Sequence, residues 1–302
     1  MRSTVKAFCI AVMLLTMAPP PQSRAQHLKP SSLPPGDTVE QHAFFSGALQ
    51  RQMRYEIVLP ARYSSGQQRY PVLYLLHGWE GDETNWVKLT HLVELASRYA
   101  LIIVTPQALN SWYVNSETNP ADRYADYIAD DLIAEVDGHY RTIASSHQRA
   151  IAGLSMGGYG ALLLSLRRPG LFSFAASISG AFDGPSGAEQ VMPQLKPSTD
   201  QAFGPAGSQT REANNLDTLI AAAAPEKAPY VLVDCGTADP FLPSNRHVVT
   251  EIWSRGFDYE YHELPGAHTW SFWDNSLPNL LDVLSRKLHL EGSTVIPHTT
   301  VH

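Results

Sequence analysis

Residues 149–163 read RAIAGLSMGGYGALL, and the fold follows from this stretch. Residues 149–153 form a short apolar run of strand length, and 156–163 begin a helix. Between them, Gly153-Leu154-Ser155-Met156-Gly157 is a G-x-S-x-G pentapeptide. A serine on a sharp strand-to-helix turn has its Oγ driven clear of the sheet. Glycines two positions to either side let the backbone close that turn. The helix that follows aims free N–H groups and its positive dipole end at the serine, ready for an oxyanion. The pentapeptide alone is weak, because ordinary glycine and serine usage produces it in about one chain of this length in ten. Its weight comes from three further elements in the required chain order.

On the N-terminal side, residues 39–59 carry two patches of strand character, ended by Pro60, that predict an antiparallel pair. The runs 70–76 and 100–105 are nearly all apolar, as strands buried on both faces should be. Residues 82–99 and 122–140 read as helices, and 107–121 as a polar and aromatic loop. On the C-terminal side, strands are predicted at 172–179, 230–235 and 258–264, with helices at 216–224, 244–255 and 272–288. Residues 180–213, with several Pro and Gly, read as a long irregular segment. Strands alternating with helices imply an α/β fold, with a mainly parallel central sheet and helices on both faces.

A serine hydroxyl needs a base to take its proton and an acid to orient that base. In an α/β-hydrolase arrangement these follow in the order Ser, Asp or Glu, His, on loops at the carboxyl ends of strands. Asp239 lies just past the 230–235 strand, in Cys235-Gly236-Thr237-Ala238-Asp239-Pro240. Asp234, inside that strand, and Asp183, after the preceding one, are its rivals. His268 follows the 258–264 strand in Pro265-Gly266-Ala267-His268-Thr269-Trp270, where the base belongs. No other His lies downstream of Asp239 at the end of a late strand. The oxyanion hole calls for the N–H of Met156, the residue after the nucleophile. A second donor comes from His77-Gly78-Trp79, with Trp79 preferred and Gly78 next. Trp112, Tyr113 and Trp270, with Trp79, are expected to wall a substrate pocket. Loops 110–119 and 181–213 would shape it.

The chain has 302 residues, 44% hydrophobic and 17% charged, which suits one large α/β domain. A net charge of −7 and the lack of any Lys/Arg run exclude a basic nucleic-acid face. The 12 His are scattered without H-E-x-x-H spacing and there is no C-x-x-C, so no metal or cofactor is expected. Residues 1–25 read as a secretory signal, with Arg2 and Lys6 ahead of an apolar stretch and Ser23-Arg24-Ala25 before the cut. That stretch is too short to span a bilayer, and no other apolar run is long enough. The mature protein is expected to be soluble, and secreted or periplasmic, with Cys235 its one cysteine and no disulfide. Residues 26–38 read as a flexible lead-in, 39–290 as the catalytic domain and 291–302 as a disordered tail.

With these elements placed, the sequence resembles the esterase D-like family of α/β-hydrolases. The matching stretches are YPVLYLLHGWEGDETNW at 70–86, Ser111-Trp112-Tyr113 and YADYIADDLIAEVDGHY at 124–140. GLSMGGYGAL at 153–162, CGTADPF at 235–241 and PGAHTWSFW at 265–273 complete them. The resemblance implies a catalytic Ser155, Asp239 and His268 without a metal, and is nearest to secreted tributyrin, acetyl and feruloyl esterases. Their substrate is a small ester, carbohydrate-linked in some members. Two other branches share the triad. S-formylglutathione hydrolases are cytosolic thioesterases that usually carry His where Leu154 stands. Mycolyltransferases are secreted acyltransferases of very long chains, and no comparable acyl groove is legible here. A non-catalytic binding protein on this fold would not need all three triad residues.

Overall fold

The computed structural model describes residues 38–182 and 184–290. The stretches read from sequence as signal (1–25) and tail (291–302), nearly all of the lead-in and the rival Asp183 lie outside them. Eight strands form one sheet: β1 (Thr38–Ser46), β2 (Arg51–Leu59), β3 (Val72–Leu76), β4 (Ile102–Pro106), β5 (Arg149–Leu154), β6 (Phe174–Ile178), β7 (Tyr230–Gly236) and β8 (Tyr259–Leu264). Their spatial order is β1-β2-β4-β3-β5-β6-β7-β8. The first two strands pair antiparallel and β2 joins β4 antiparallel; the rest of the sheet is parallel.

Parallel strands need helical crossovers, and these cover both faces of the sheet. Side chains alternate between the two faces, as a period of two requires. In β3, Val72, Tyr74 and Leu76 join one buried cluster, with Tyr127, Leu132 and Ile252. Leu73 and Leu75 join the other, with Trp86, Leu92 and Leu280. β3, β4 and β5 are buried at every position, which explains their mostly apolar sequence; the exceptions, Thr105 and Arg149, are hydrogen-bonded.

Two stretches differ from their sequence reading. The helix expected over 82–99 is two short ones, Asn85–Leu89 and Leu92–Ala96. Thr90 between them is extended, and Asp274 of the last helix, Trp270–Leu288, accepts both the His91 N–H at 2.7 Å and its ring Nδ1 at 2.6 Å. A tertiary contact therefore overrides local propensity. The 180–213 segment is mostly helical rather than irregular: Gly184–Val191, Lys196–Phe203 and Gln209–Ala213. The buried Arg211 knits these helices together, reaching Glu189 at 3.0 Å, Asp200 at 2.8 Å and the Gly204 carbonyl at 2.8 Å. A single guanidinium with three separate acceptors is invisible to local periodicity.

The chain runs from β3 outward to β4, then returns past β3 to β5 and onward to β8. The order reverses between β3 and β5, the switch point where ligands bind in open α/β sheets. Register aligns the strand ends there: Leu76 faces Gly153, Leu154 faces Ile178, Ile178 faces Asp234 and Gly236 faces Leu264. The loops that follow these ends converge on one edge.

Candidate active site

Ser155 sits between β5 and the Met156–Arg167 helix with φ 52° and ψ −117°. A non-glycine residue holds such a backbone only when its surroundings leave no alternative. Here the two flanking glycines are demanded by backbone atoms. A Cβ on Gly153 would stand 2.4 Å from the Gly157 carbonyl carbon. One on Gly157 would stand 2.6 Å from the carbonyl oxygens of both Leu76 and His77. The turn is thus clamped against the end of β3. Bonds from Ser155 N–H to the Ile178 carbonyl, 3.0 Å, and from Ala181 N–H to the Ser155 carbonyl, 3.1 Å, fix it to β6.

Three side chains from three loops meet beside this turn. Ser155 Oγ lies 3.0 Å from His268 Nε2, and His268 Nδ1 lies 2.9 Å from Asp239 Oδ2. The second carboxylate oxygen, Oδ1, accepts the Phe241 N–H at 2.9 Å. Phe241 and Trp273 hold the imidazole between them, with ring centroids 5.1 and 5.0 Å away. Burial pushes the Asp239 pKa up. The hydrogen bond from His268, that ring's charge and the Phe241 N–H outweigh it, and the pKa ends below the usual carboxylate value. The buried Ser179 hydroxyl acts in the same direction from nearby, without reaching hydrogen-bond geometry. A carboxylate that stays ionised keeps the Nδ1 proton in place and leaves Nε2 free to accept.

The rival Asp234 is placed elsewhere. It is fully buried in β7 and bonds to His262 Nδ1 at 2.9 Å and Asn279 Nδ2 at 3.0 Å.

The turn after β3 brings Gly78 and Trp79 against Ser155. A Cβ on Gly78 would lie 3.6 Å from that of Ser155. Among the described residues the Trp79 N–H makes no backbone hydrogen bond, and Met156, first in its helix, has no intrahelical acceptor. His77 shapes this turn, a role not read from the sequence. Its Nε2 accepts the Ala108 N–H at 3.0 Å, so Nδ1 donates to the Gly78 carbonyl at 2.7 Å. Burial lowers its pKa, so the ring is neutral.

Ser155 and His268 open into a cavity of about 330 Å³. Its apolar wall is Trp79, Leu154, Met192, Leu195, Trp270 and Trp273, with Glu80 and Asn85 adding polar edges. Trp79 and Trp270 therefore stand where a pocket wall was expected. Trp112 and Tyr113 do not, which corrects their assignment to the substrate pocket. Both are buried. Trp112 donates to Ser198 Oγ at 3.1 Å and packs on Tyr159 and Phe203. Tyr113 donates to the His77 carbonyl at 2.8 Å and fills the space beside Gly160. They support the site from beneath. Met192 and Leu195 carried no sequence signal, because their segment read as loop. Among the described residues, no group of three or more His, Cys, Asp or Glu could hold a metal ion. None of the described helices is long and apolar enough to cross a membrane.

Comparison with known proteins agrees with this architecture. The profile of the family described as "Putative esterase" matches residues 46–283. An acetyl esterase from Caldicellulosiruptor saccharolyticus is 25% identical over 262 residues, covering 82% of this chain and 98% of that protein. An endo-1,4-beta-xylanase/feruloyl esterase from Xylanibacter ruminicola is 31% identical over 155 residues, covering 47% of this chain and 21% of that one. Among solved structures, a ferulic acid esterase superposes with a TM-score of 0.71 at 25% identity, covering 83% of this chain and 99% of that one.

Proposed function

The chain belongs to the "Putative esterase" family and is a carboxylesterase, and we propose that it cleaves short acyl, acetyl or feruloyl esters through Ser155, His268 and Asp239. The observation that carries this reading is the unbroken chain Asp239 to His268 to Ser155, at 2.9 and 3.0 Å, at the mouth of an apolar cavity.

In this mechanism His268 Nε2 takes the Ser155 proton as Oγ attacks the ester carbonyl. The Met156 and Trp79 N–H groups receive the oxyanion. Asp239 stabilises the imidazolium, which then protonates the leaving alcohol. In the second half His268 deprotonates a water that attacks the acyl-enzyme, and Ser155 recovers its proton. The cavity volume of about 330 Å³ and its three tryptophans suit an acetyl to aryl-propenoyl group better than a very long acyl chain. Export belongs to the same reading, resting on the charge and apolar pattern of residues 1–25.

The test is hydrolysis of p-nitrophenyl acetate through laurate and of methyl ferulate, with Ser155→Ala alongside. Wild type should turn over the short or aromatic esters, and the variant should fall to background. A folded wild-type protein inactive on the whole panel, or a Ser155→Ala enzyme of equal rate, would overturn the reading. Recovery of the protein only from the cytoplasm, with residues 1–25 still attached, would overturn the export part.

A further inference from the structure

Glu80 lines the catalytic cavity and has no part in the mechanism above. It is the one carboxylate in that lining, and among the described residues no Lys or Arg lines the cavity with it. The next acids on the same loop are committed to partners. Asp82 Oδ1 accepts the Thr84 N–H at 2.8 Å and Asn85 Nδ2 at 3.0 Å, and Glu83 pairs with Arg54 at 2.5 Å. The Glu80 side chain is exposed, and its carboxylate has neither an ion pair nor a hydrogen bond among the described residues. The backbone holds it there at a cost. Glu80 takes a left-handed φ of 58°, which glycine would hold with less strain. Its N–H is tied to Asn110 Oδ1 at 2.7 Å, and the Gly81 N–H closes the turn on the Gly78 carbonyl at 3.1 Å. A free negative charge is thus fixed at the edge of the cavity that holds Ser155 and His268.

The rest of the wall adds to that charge. Trp79, Trp270 and Trp273 line the same cavity, and the Trp270 and Trp273 rings stand at 85° with centroids 5.0 Å apart, forming an aromatic corner. The face of an aromatic ring is the negative side of its quadrupole. A carboxylate and several indole rings around one space attract a cation and repel an anion, and a neutral group of the same shape gains only the apolar contact. A quaternary ammonium fits such a wall best, because its methyl groups pack on the rings while its charge needs no hydrogen-bond acceptor. The net charge of −7 draws cations toward the protein as a whole.

We propose that the catalytic cavity selects esters carrying an ammonium group, quaternary above all, with Glu80 as the specificity-determining residue and the three tryptophans as the wall against which the cation packs. The substrate role rests on the ester-hydrolase reading; binding of the cation does not. Two measurements keep them apart. The first is titration of choline and of neohexyl alcohol, its uncharged isostere with carbon in place of nitrogen, into the Ser155→Ala protein at matched ionic strength, followed by tryptophan fluorescence. Choline should bind about fivefold or more tighter, the combined effect of one exposed charge contact and one ring face. Adding Glu80→Gln should remove most of that preference, and raising salt from about 0.05 to about 0.5 M should narrow it. The second is the ratio of kcat/KM for acetylcholine to that for neohexyl acetate. Glu80→Gln should lower this ratio by about threefold or more relative to wild type. A general disturbance of the site lowers both rates and cancels in the ratio. Choline binding no tighter than neohexyl alcohol overturns the proposal. So does a ratio that Glu80→Gln leaves unchanged. If wild type cleaves neither ester, the hydrolase reading fails and the titration alone decides the cation site.

Discussion

Gly157→Ala tests the clamp that sets the serine turn. The added Cβ would stand 2.6 Å from the carbonyl oxygens of Leu76 and His77, which are backbone atoms of a fully buried strand end. Reaching 3.4 Å, the lower limit of ordinary contact, requires the helix start and the strand end to part by about 0.8 Å. The Met156 N–H moves with the helix and the Trp79 N–H with the strand, so the oxyanion hole widens. Misplacement on the order of 1 Å costs about 100-fold in rate, and overpacking a buried site costs about 1–3 kcal/mol. The assay is the initial rate on p-nitrophenyl acetate with a thermal melt of the same preparation. kcat should fall by about 100-fold, and Tm by about 2–4 °C for each kcal/mol lost. Gly138→Ala is the control. Nothing lies within 4 Å of its Cβ in the Ile133–His139 helix, so it should gain up to about 1 kcal/mol and leave the rate unchanged. A Gly157→Ala enzyme with kcat within about threefold of wild type and the same Tm would refute the clamp.

Further expectations follow from the same geometry. Asp239→Asn should lower kcat by about 10⁴ with KM little changed, because an amide in that buried position favours the wrong His268 tautomer; a loss below about tenfold would remove Asp239 from the mechanism. Trp112→Ala should cost about 3–5 kcal/mol of stability, from a fully buried ring and its bond to Ser198, whereas Trp270→Ala should raise KM with a smaller loss of stability; a reversed pattern in melts and kinetics would contradict their placement. His262 bonds to buried Asp234, and that bond raises its pKa above 6.5, with burial opposing and the Asp234 and Glu260 charges adding. The group binds its proton more tightly folded than unfolded. Its stabilisation is complete below the unfolded value and is lost as pH rises through the folded one. The Tm gap between wild type and His262→Gln should therefore narrow as pH rises above about 6.5, and a gap that widens would show the sign to be wrong.

Sequence alone determined what is local and periodic. Continuous apolar runs marked the buried parallel strands, and G-x-S-x-G marked the turn, because strand burial and backbone closure act over a few residues. Chain order then named Ser155, Asp239 and His268, since each follows a strand whose end register brings to one edge. The same chain order left Asp234 as a rival to Asp239, and the folded structure separates them, with Asp239 bonded to His268 and Asp234 buried against His262 and Asn279. Tertiary structure alone decided which aromatics face the cavity. Trp112 and Trp270 look alike in sequence, but Trp112 is held under the loop by Ser198 and Phe203. Met192 and Leu195 reach the site because one buried Arg211 draws Glu189, Asp200 and Gly204 together and orders the helices around them. Contacts between residues far apart in the chain leave no periodic trace, so their consequences appear only once the chain is folded.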